Sequence, residues 1–322
     1  MSDDLAAAIE AADRRIKAVA VGVRPTPLEA TSALSDESGL RLLLKGEHLQ
    51  RTGSFKLRGA MNKLLSLSDA ERARGIVTAS SGNHGMAAAL AARLTGSRAH
   101  IYLPEAVSPM KKQAIQRLGA EITLVPGDSV AAEVAARDAS TGLNLGYVSP
   151  YADLDIIAGQ GTIGLELTRQ ADELAAVFVA VGGGGLISGI GGYLKAKMPG
   201  ADIIGCWPEV APAMHNCLEA GHIHEVIEEK TLSDGTAGGV DEDTPTFEIC
   251  QQVIDRKLLV SEAEIADAMR RLAETERWIV EGAAGVALAA ARRLAGDYAG
   301  KKIAVVLCGR NIKLETFLEA VA

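Results

Sequence analysis

The sequence predicts an α/β fold of two open, mostly parallel sheets flanked by helices. Apolar strand-like runs alternate with helix-like stretches almost throughout the chain, the pattern of parallel sheets covered by helices. Two such series follow one another with no repeat, low-complexity tract or flexible linker between them. At 322 residues the chain exceeds one average domain and suffices for two closely packed units. The expected division is a large domain made of 1–70 with 152–322, and a small inserted α/β domain over 71–151.

The first series opens with Arg41 to Leu44, an apolar run that reads as a strand. Ser68 followed by Glu71 has the form of a capping box, opening a short helix that ends at Gly75. Ile76 to Ala79 is a buried strand and Met86 to Leu94 an alanine-rich helix. His100 to Leu103 is the next strand, stopped by Pro104; Met110 to Leu118 is a helix ended by Gly119. Ile122 to Val125 is a strand and Val130 to Ala139 a helix. In the second series, Ala176 to Val181 has no polar side chain, as a strand buried on both faces requires. Four glycines follow it, then a helix from Leu186 to about Lys197 and a strand from Ile203 to Cys206. Ser261 and Glu264 form a second capping box before a helix reaching Glu276; Gly282 to Leu294 is helical and Ile303 to Leu307 a last buried strand.

Composition narrows the function classes. The net charge is −8 and aromatics are 3%, against both the basic surface and the stacking platforms that nucleic acid needs. No apolar run reaches the roughly 18 residues of a membrane span. The start, Met-Ser-Asp-Asp-Leu, lacks the basic and apolar parts of a secretory signal. The four cysteines include no CxxC pair, so neither a zinc knuckle nor a disulfide framework is indicated and a cytoplasmic location is expected.

Four segments carry chemistry. In Thr52-Gly53-Ser54-Phe55-Lys56-Leu57-Arg58-Gly59-Ala60, Lys56 is either a solvated surface cation or an amine buried between Phe55 and Leu57. Burial lowers an amine's pKa and fits it to form a Schiff base with an aldehyde. Ser80-Ser81-Gly82-Asn83-His84-Gly85 lies between a strand and a helix. It is either the cap of that helix or a main-chain site for a carboxylate or phosphate. Gly182-Gly183-Gly184-Gly185 lets the backbone approach an anion at a helix start. It matches neither the spaced dinucleotide pattern nor a Walker loop, so a single phosphate is the natural guest and a nicotinamide oxidoreductase is disfavoured. Cys308-Gly309-Arg310-Asn311 ends a buried strand, where ligands of open α/β sheets gather, and Cys308 is either part of such a site or a small buried hydrophobe.

Taken in order, TGSFKLRGA, SSGNHG, GGGGLISG and CGRN resemble the fold-type II pyridoxal-phosphate enzymes. VRPTPLE near Pro27, DIIAGQGT over 155–162 and VEGAAGV over 280–286 extend the likeness along essentially the whole chain. GSFK with SSGNH is most similar to threonine and serine dehydratases and serine racemase. The resemblance implies pyridoxal 5'-phosphate as cofactor between a large and a small domain, with Lys56 linked to it and shuttling the α-proton. It implies Phe55 and the main chain near Gly235 flanking the ring, Asn83 on its phenolic oxygen, and Gly182, Gly183, Gly184, Gly185 and Leu186 around its phosphate. Ser80, Ser81, Gly82, Asn83 and His84 would surround the substrate carboxylate, and Ser81 is the matching second acid/base of racemases. Glu281 matches a carboxylate near the cofactor, and Cys308 stands opposite the pyridine nitrogen. A neutral partner there makes the ring a weaker electron sink, which elimination tolerates.

The resemblance implies a dehydratase (ammonia-lyase) acting on L-threonine, L-serine or a 3-hydroxy relative such as 3-hydroxyaspartate, as a homodimer. An amino-acid racemase of the same family and a non-catalytic pyridoxal-phosphate carrier are the competing expectations. Three features depart from the family pattern. Where metal-dependent relatives place ligands, the stretch from Gly205 to Ala213 offers only Glu209, so no metal is expected. Arg310 replaces a glycine and could either bind a second substrate carboxylate or brace its loop. Only 11 residues follow Asn311, which suggests an enzyme without an appended regulatory domain.

Overall fold

The protein, obtained as a computed structural model, is described at residues 2–19 and 21–322; Met1 and Ala20, inside the expected large domain, lie outside the described residues. The strands are β1 (Leu28–Ala30), β2 (Arg41–Lys45), β3 (Ile76–Ala79), β4 (Ala99–Pro104), β5 (Glu121–Val125), β6 (Gly146–Tyr147), β7 (Ala176–Ala180), β8 (Asp202–Pro208), β9 (Arg256–Val260) and β10 (Lys302–Val306). One sheet runs β1-β2-β10-β7-β8-β9 and the other β5-β4-β3-β6. Every pairing is parallel except β1 with β2. All five residues of β7 are buried, because helices cover both faces of the sheet.

The strands read from the sequence coincide with β2, β3, β4, β5, β7, β8 and β10 to within a residue or two. Val181 and Leu307, counted as strand by their apolar character, fall just past β7 and β10 and begin the site loops. Both capping boxes form: Ser68 and Glu71 start the helix Asp69–Arg74, and Ser261 and Glu264 start Glu262–Glu276. Each satisfies two otherwise orphaned donors reciprocally.

The helices Ser2–Lys17 and Leu154–Gln170 were not anticipated. The second carries Gly159, Gly161 and Gly164, and glycine inside a helix costs about 1 kcal/mol relative to alanine. Tertiary packing decides the matter. A Cβ on Gly159 would meet the Cα of Gly59 at 2.6 Å, and one on Gly189 would meet the Gly161 nitrogen at 2.5 Å. Leu154–Gln170 therefore crosses the helices Lys56–Ser66 and Gly185–Lys197 at backbone contact. Those two helices begin at the lysine and at the tetraglycine, so one glycine-lined helix sets their spacing.

Leu57, Ala60, Met61 and Leu64 share a core with Ile76, Ile101, Leu103 and the alanines of the helix Asn83–Thr95. A helix that precedes residue 71 thus packs with the smaller sheet. Beside it lies a buried charge network. Arg58 pairs with Glu47 at 2.8 Å and Glu166 at 2.7 Å, and Lys45 reaches Glu166 at 2.6 Å. No helix among the described residues is long and apolar enough to cross a membrane.

Candidate active site

The loops after β3, β7 and β10 open toward one cavity of about 620 Å³. It lies at the carboxyl ends of the strands, where ligands of such sheets bind. Its wall brings together Phe55, Lys56, Ser80, Ser81, Gly82, Asn83, His84, the glycines 182–185, Leu186, Gly235, Glu281 and Cys308. Segments far apart in the sequence are thereby joined, as the order of motifs led us to expect.

Lys56 is the first residue of its helix, and its Nζ donates to the carbonyl of Pro150 at 2.8 Å. Burial lowers its pKa to about 8, an effect that Cys308 and Glu281 oppose. The amine is therefore partly neutral near physiological pH, which a nucleophile toward an aldehyde requires. Its Nζ lies 5.2 Å from the Phe55 ring centroid, and the Phe55 N–H donates to the Cys308 carbonyl at 3.0 Å. Burial also raises the Cys308 thiol well above its usual value, so Cys308 presents a neutral group.

Glu281 is buried, and that burial raises its carboxyl to about 7 against the opposing effect of Asn83. The Asn83 Nδ2 donates to both carboxylate oxygens at 2.9 and 3.0 Å, and the Asn311 N–H adds a third bond at 3.0 Å. The Asn83 Oδ1 accepts from Asn311 Nδ2. Both ends of the Asn83 amide are thus engaged by protein groups, and bonding to a phenolic oxygen would require an exchange of partners. A Cβ on Gly309 would overlap the Glu281 carboxylate, which accounts for glycine beside Cys308.

The tetraglycine is required by its surroundings. Gly184 has φ +85°, and a Cβ on Gly183 would lie 2.5 Å from the Tyr151 ring. A Cβ on Gly182 would lie 2.9 Å from the Thr236 carbonyl. With its back against Tyr151 and Thr236, the loop gives the cavity only main chain at a helix start, where N–H groups have no intrahelical acceptor. These donors fit a phosphate. On the facing side, Gly82 precedes the helix Asn83–Thr95 without any side-chain cap. Ser80 Oγ accepts from the Gly82 N–H at 3.2 Å, while Ser81 is half-buried in the cavity wall. A buried amine, a neutral group and two sets of helix-start donors around one cavity together fit a phosphorylated aldehyde and a carboxylate.

Arg310 is not brought into this wall. Its N–H donates to the Gly53 carbonyl at 2.9 Å, and its side chain is exposed. The guanidinium lies near His48 instead, where its charge adds to burial in lowering that imidazole to about 4. The segment is held against the Thr52–Phe55 turn by the Ser54–Gly309 bridge, leaving the guanidinium hydrated. Glu209 is paired with Arg293 at 3.6 Å, and among the described residues no three His, Cys, Asp or Glu side chains group as metal ligands do. Pro150, Tyr151 and Thr236 were not singled out from the sequence, because main-chain acceptors and packing surfaces leave no motif.

Residues 19–309 match the family described as pyridoxal-phosphate dependent enzymes. An L-threonine ammonia-lyase of Thermotoga maritima is 40% identical over 94% of this chain and 75% of its own length. A beta-hydroxyaspartate dehydratase of Paracoccus denitrificans is 35% identical over 95% of each chain. The structure of the processed form of threonine deaminase isoform 2 from Solanum lycopersicum superposes with a TM-score of 0.92. It is 34% identical and covers 99% of this chain and 93% of its own.

Proposed function

The chain belongs to the family of pyridoxal-phosphate dependent enzymes, and on that premise we propose that it is a lyase that dehydrates and deaminates a small β-hydroxy amino acid. The observation that carries this reading is the enclosed Lys56 amine facing the tetraglycine loop across one cavity. Lys56 would hold pyridoxal 5'-phosphate covalently, the main chain of 182–186 its phosphate, and Cys308 the ring nitrogen. When bound, the cofactor supplies the aldehyde that exchanges amines and a conjugated ring that withdraws electrons from Cα.

The residues of this chain account for the rest. Main-chain donors of Ser81 to His84 at the helix start orient the substrate carboxylate. Lys56, near neutrality in its ionisation, removes the α-proton. Cys308 keeps the ring site uncharged, which suits a reaction whose leaving hydroxyl carries the electrons away. The released enamine tautomerises and loses ammonia in water, giving a 2-oxo acid. Ser81, on the helix-start side of the cavity, is the proposed acid/base for any racemisation.

Threonine and serine are the substrates we favour, since Arg310 does not face the cavity. Acidic 3-hydroxyaspartate is the second reading, because Lys111 and Lys313 line the wall and neither is in an ion pair among the described residues. The test is 2-oxo acid release from a panel of hydroxy amino acids by cofactor-loaded protein. Borohydride reduction and peptide mapping should place the label on Lys56; label elsewhere rejects the assignment. In Ser81→Ala, D-isomer formation should vanish while elimination falls less. We further propose a homodimer in the cytoplasm, the first part being open to sedimentation analysis.

A further inference from the structure

His84 stands in the wall of the cavity with only 4% of its surface exposed, and its hydrogen bonds fix which nitrogen carries the proton. Nε2 lies 2.9 Å from the Val148 carbonyl and 3.1 Å from Thr78 Oγ1. The Thr78 hydroxyl gives its single hydrogen to the same carbonyl at 2.7 Å. Nε2 therefore faces two acceptors and must itself be the N–H. A second proton is excluded, because burial and the nearby Lys56 hold the imidazole to a pKa of about 3. Nδ1 is left as a bare lone pair. Among the described residues it makes no hydrogen bond, and it is not sealed off as both ring nitrogens of His48 are.

A bare nitrogen in this wall cannot serve a carboxylate, since both are acceptors. Only the main-chain N–H groups of the Ser81–His84 turn are suited to that task. Of the groups a β-hydroxy amino acid brings besides the amine that exchanges with Lys56, the hydroxyl is the one donor. We propose that His84 Nδ1 accepts a hydrogen bond from the β-hydroxyl of the substrate and so selects amino acids with a donor at Cβ. The inference rests on the reading of the cavity as a hydroxy amino acid site. As an acceptor, His84 orients the leaving group without protonating it, and the Thr78–Val148 pair acts as the positioning device that holds the tautomer.

L-Serine and β-chloro-L-alanine give the same product, pyruvate, but only serine has a hydrogen to donate at Cβ. The ratio of their kcat/KM values should fall about tenfold in His84→Phe, the factor that losing one hydrogen bond brings. An unchanged ratio, whether both rates fall or neither does, overturns the proposal. The wild-type holoenzyme gives a second, independent reading through ¹⁵N spectra of His84. Nδ1 should be unprotonated, and its resonance should move with α-methylserine, which binds but has no α-hydrogen, and stay fixed with α-aminoisobutyrate. A proton on Nδ1, or equal movement with both, overturns it. Wild-type protein that releases no 2-oxo acid from any hydroxy amino acid would instead reject the function proposed above, leaving the tautomer to be judged by the spectra.

Discussion

The Lys56 amine donates a hydrogen bond of 2.8 Å to the carbonyl of Pro150, and the next residue, Tyr151, backs the tetraglycine loop. One turn before the helix Leu154–Gln170 therefore touches both Lys56 and the tetraglycine loop. Tyr151 is itself fixed, because its hydroxyl accepts the Asp241 N–H at 2.9 Å. Lys56 and the tetraglycine loop are held at their separation by a segment with no side chain in the proposed chemistry.

An amine attacks an aldehyde only in its neutral form. With Lys56 lowered to about 8 by burial, the rate of cofactor linkage in the apo chain should rise with pH up to about 8 and then level. An ordinary lysine would keep gaining neutral amine up to about pH 10.4. Visible absorbance after mixing apo protein with pyridoxal phosphate at a series of pH values checks this. A rate still rising well above pH 9, roughly one unit past the expected midpoint, would mean the amine is not enclosed.

The glycine loop gives a second prediction. In Gly183→Ala the new Cβ would lie 2.5 Å from the Tyr151 ring, so ring or loop must shift. Overpacking of this kind costs about 1–3 kcal/mol, and here it should appear as cofactor affinity weakened roughly 5- to 150-fold. Gly296→Ala, with nothing within 4 Å of its Cβ, is the control and should leave the affinity unchanged. Titration of apo protein with cofactor reads both.

Much of this arrangement was legible because its causes are local. The apolar runs of β7 and β10, and the capping boxes at Ser68 and Ser261, state their structure within a few residues. The four motifs meet at one cavity because each sits at a strand end or helix start. Leu154–Gln170 was not legible as a helix, since Gly159, Gly161 and Gly164 lower its helical propensity and only the crossing partners explain them. The Arg310 side chain was equally beyond reach. Adjacency to Cys308 in sequence says nothing of the Gly53 contact that sets its main chain.

The buried network predicts a stability effect. Arg58 is 1% exposed between Glu47 and Glu166, so Arg58→Met leaves the buried Glu47 carboxylate without its ion-pair partner and Glu166 with Lys45 alone. Such a loss costs about 3–5 kcal/mol, measurable as a lower denaturant midpoint. In the wild type, Arg58 and Lys45 overcome the burial that opposes ionisation and hold Glu166 at about 2. A depressed carboxyl pKa stabilises the fold above the unfolded value near 4.5. That contribution should be lost as pH falls from about 4.5 toward 2, and the loss should be smaller in the variant. Coincident acid profiles for the two proteins would contradict the network's role.

The Arg310→Gly variant separates the acidic-substrate reading from the neutral one. A guanidinium bound to a second carboxylate contributes about 1.5–3 kcal/mol, a factor of roughly ten or more. The Arg310 side chain is exposed beside His48 and absent from the cavity wall. The ratio of kcat/KM for 3-hydroxyaspartate over threonine should therefore change less than about threefold in Arg310→Gly. If acidic substrates are preferred at all, the cation must come from elsewhere in the wall, and Lys111 and Lys313 are the two that reach it besides Lys56. Lys111→Ala and Lys313→Ala, measured by the same ratio, assign that role. A tenfold fall in Arg310→Gly alone would show that the arginine swings inward when substrate binds, and would make 3-hydroxyaspartate the preferred reading.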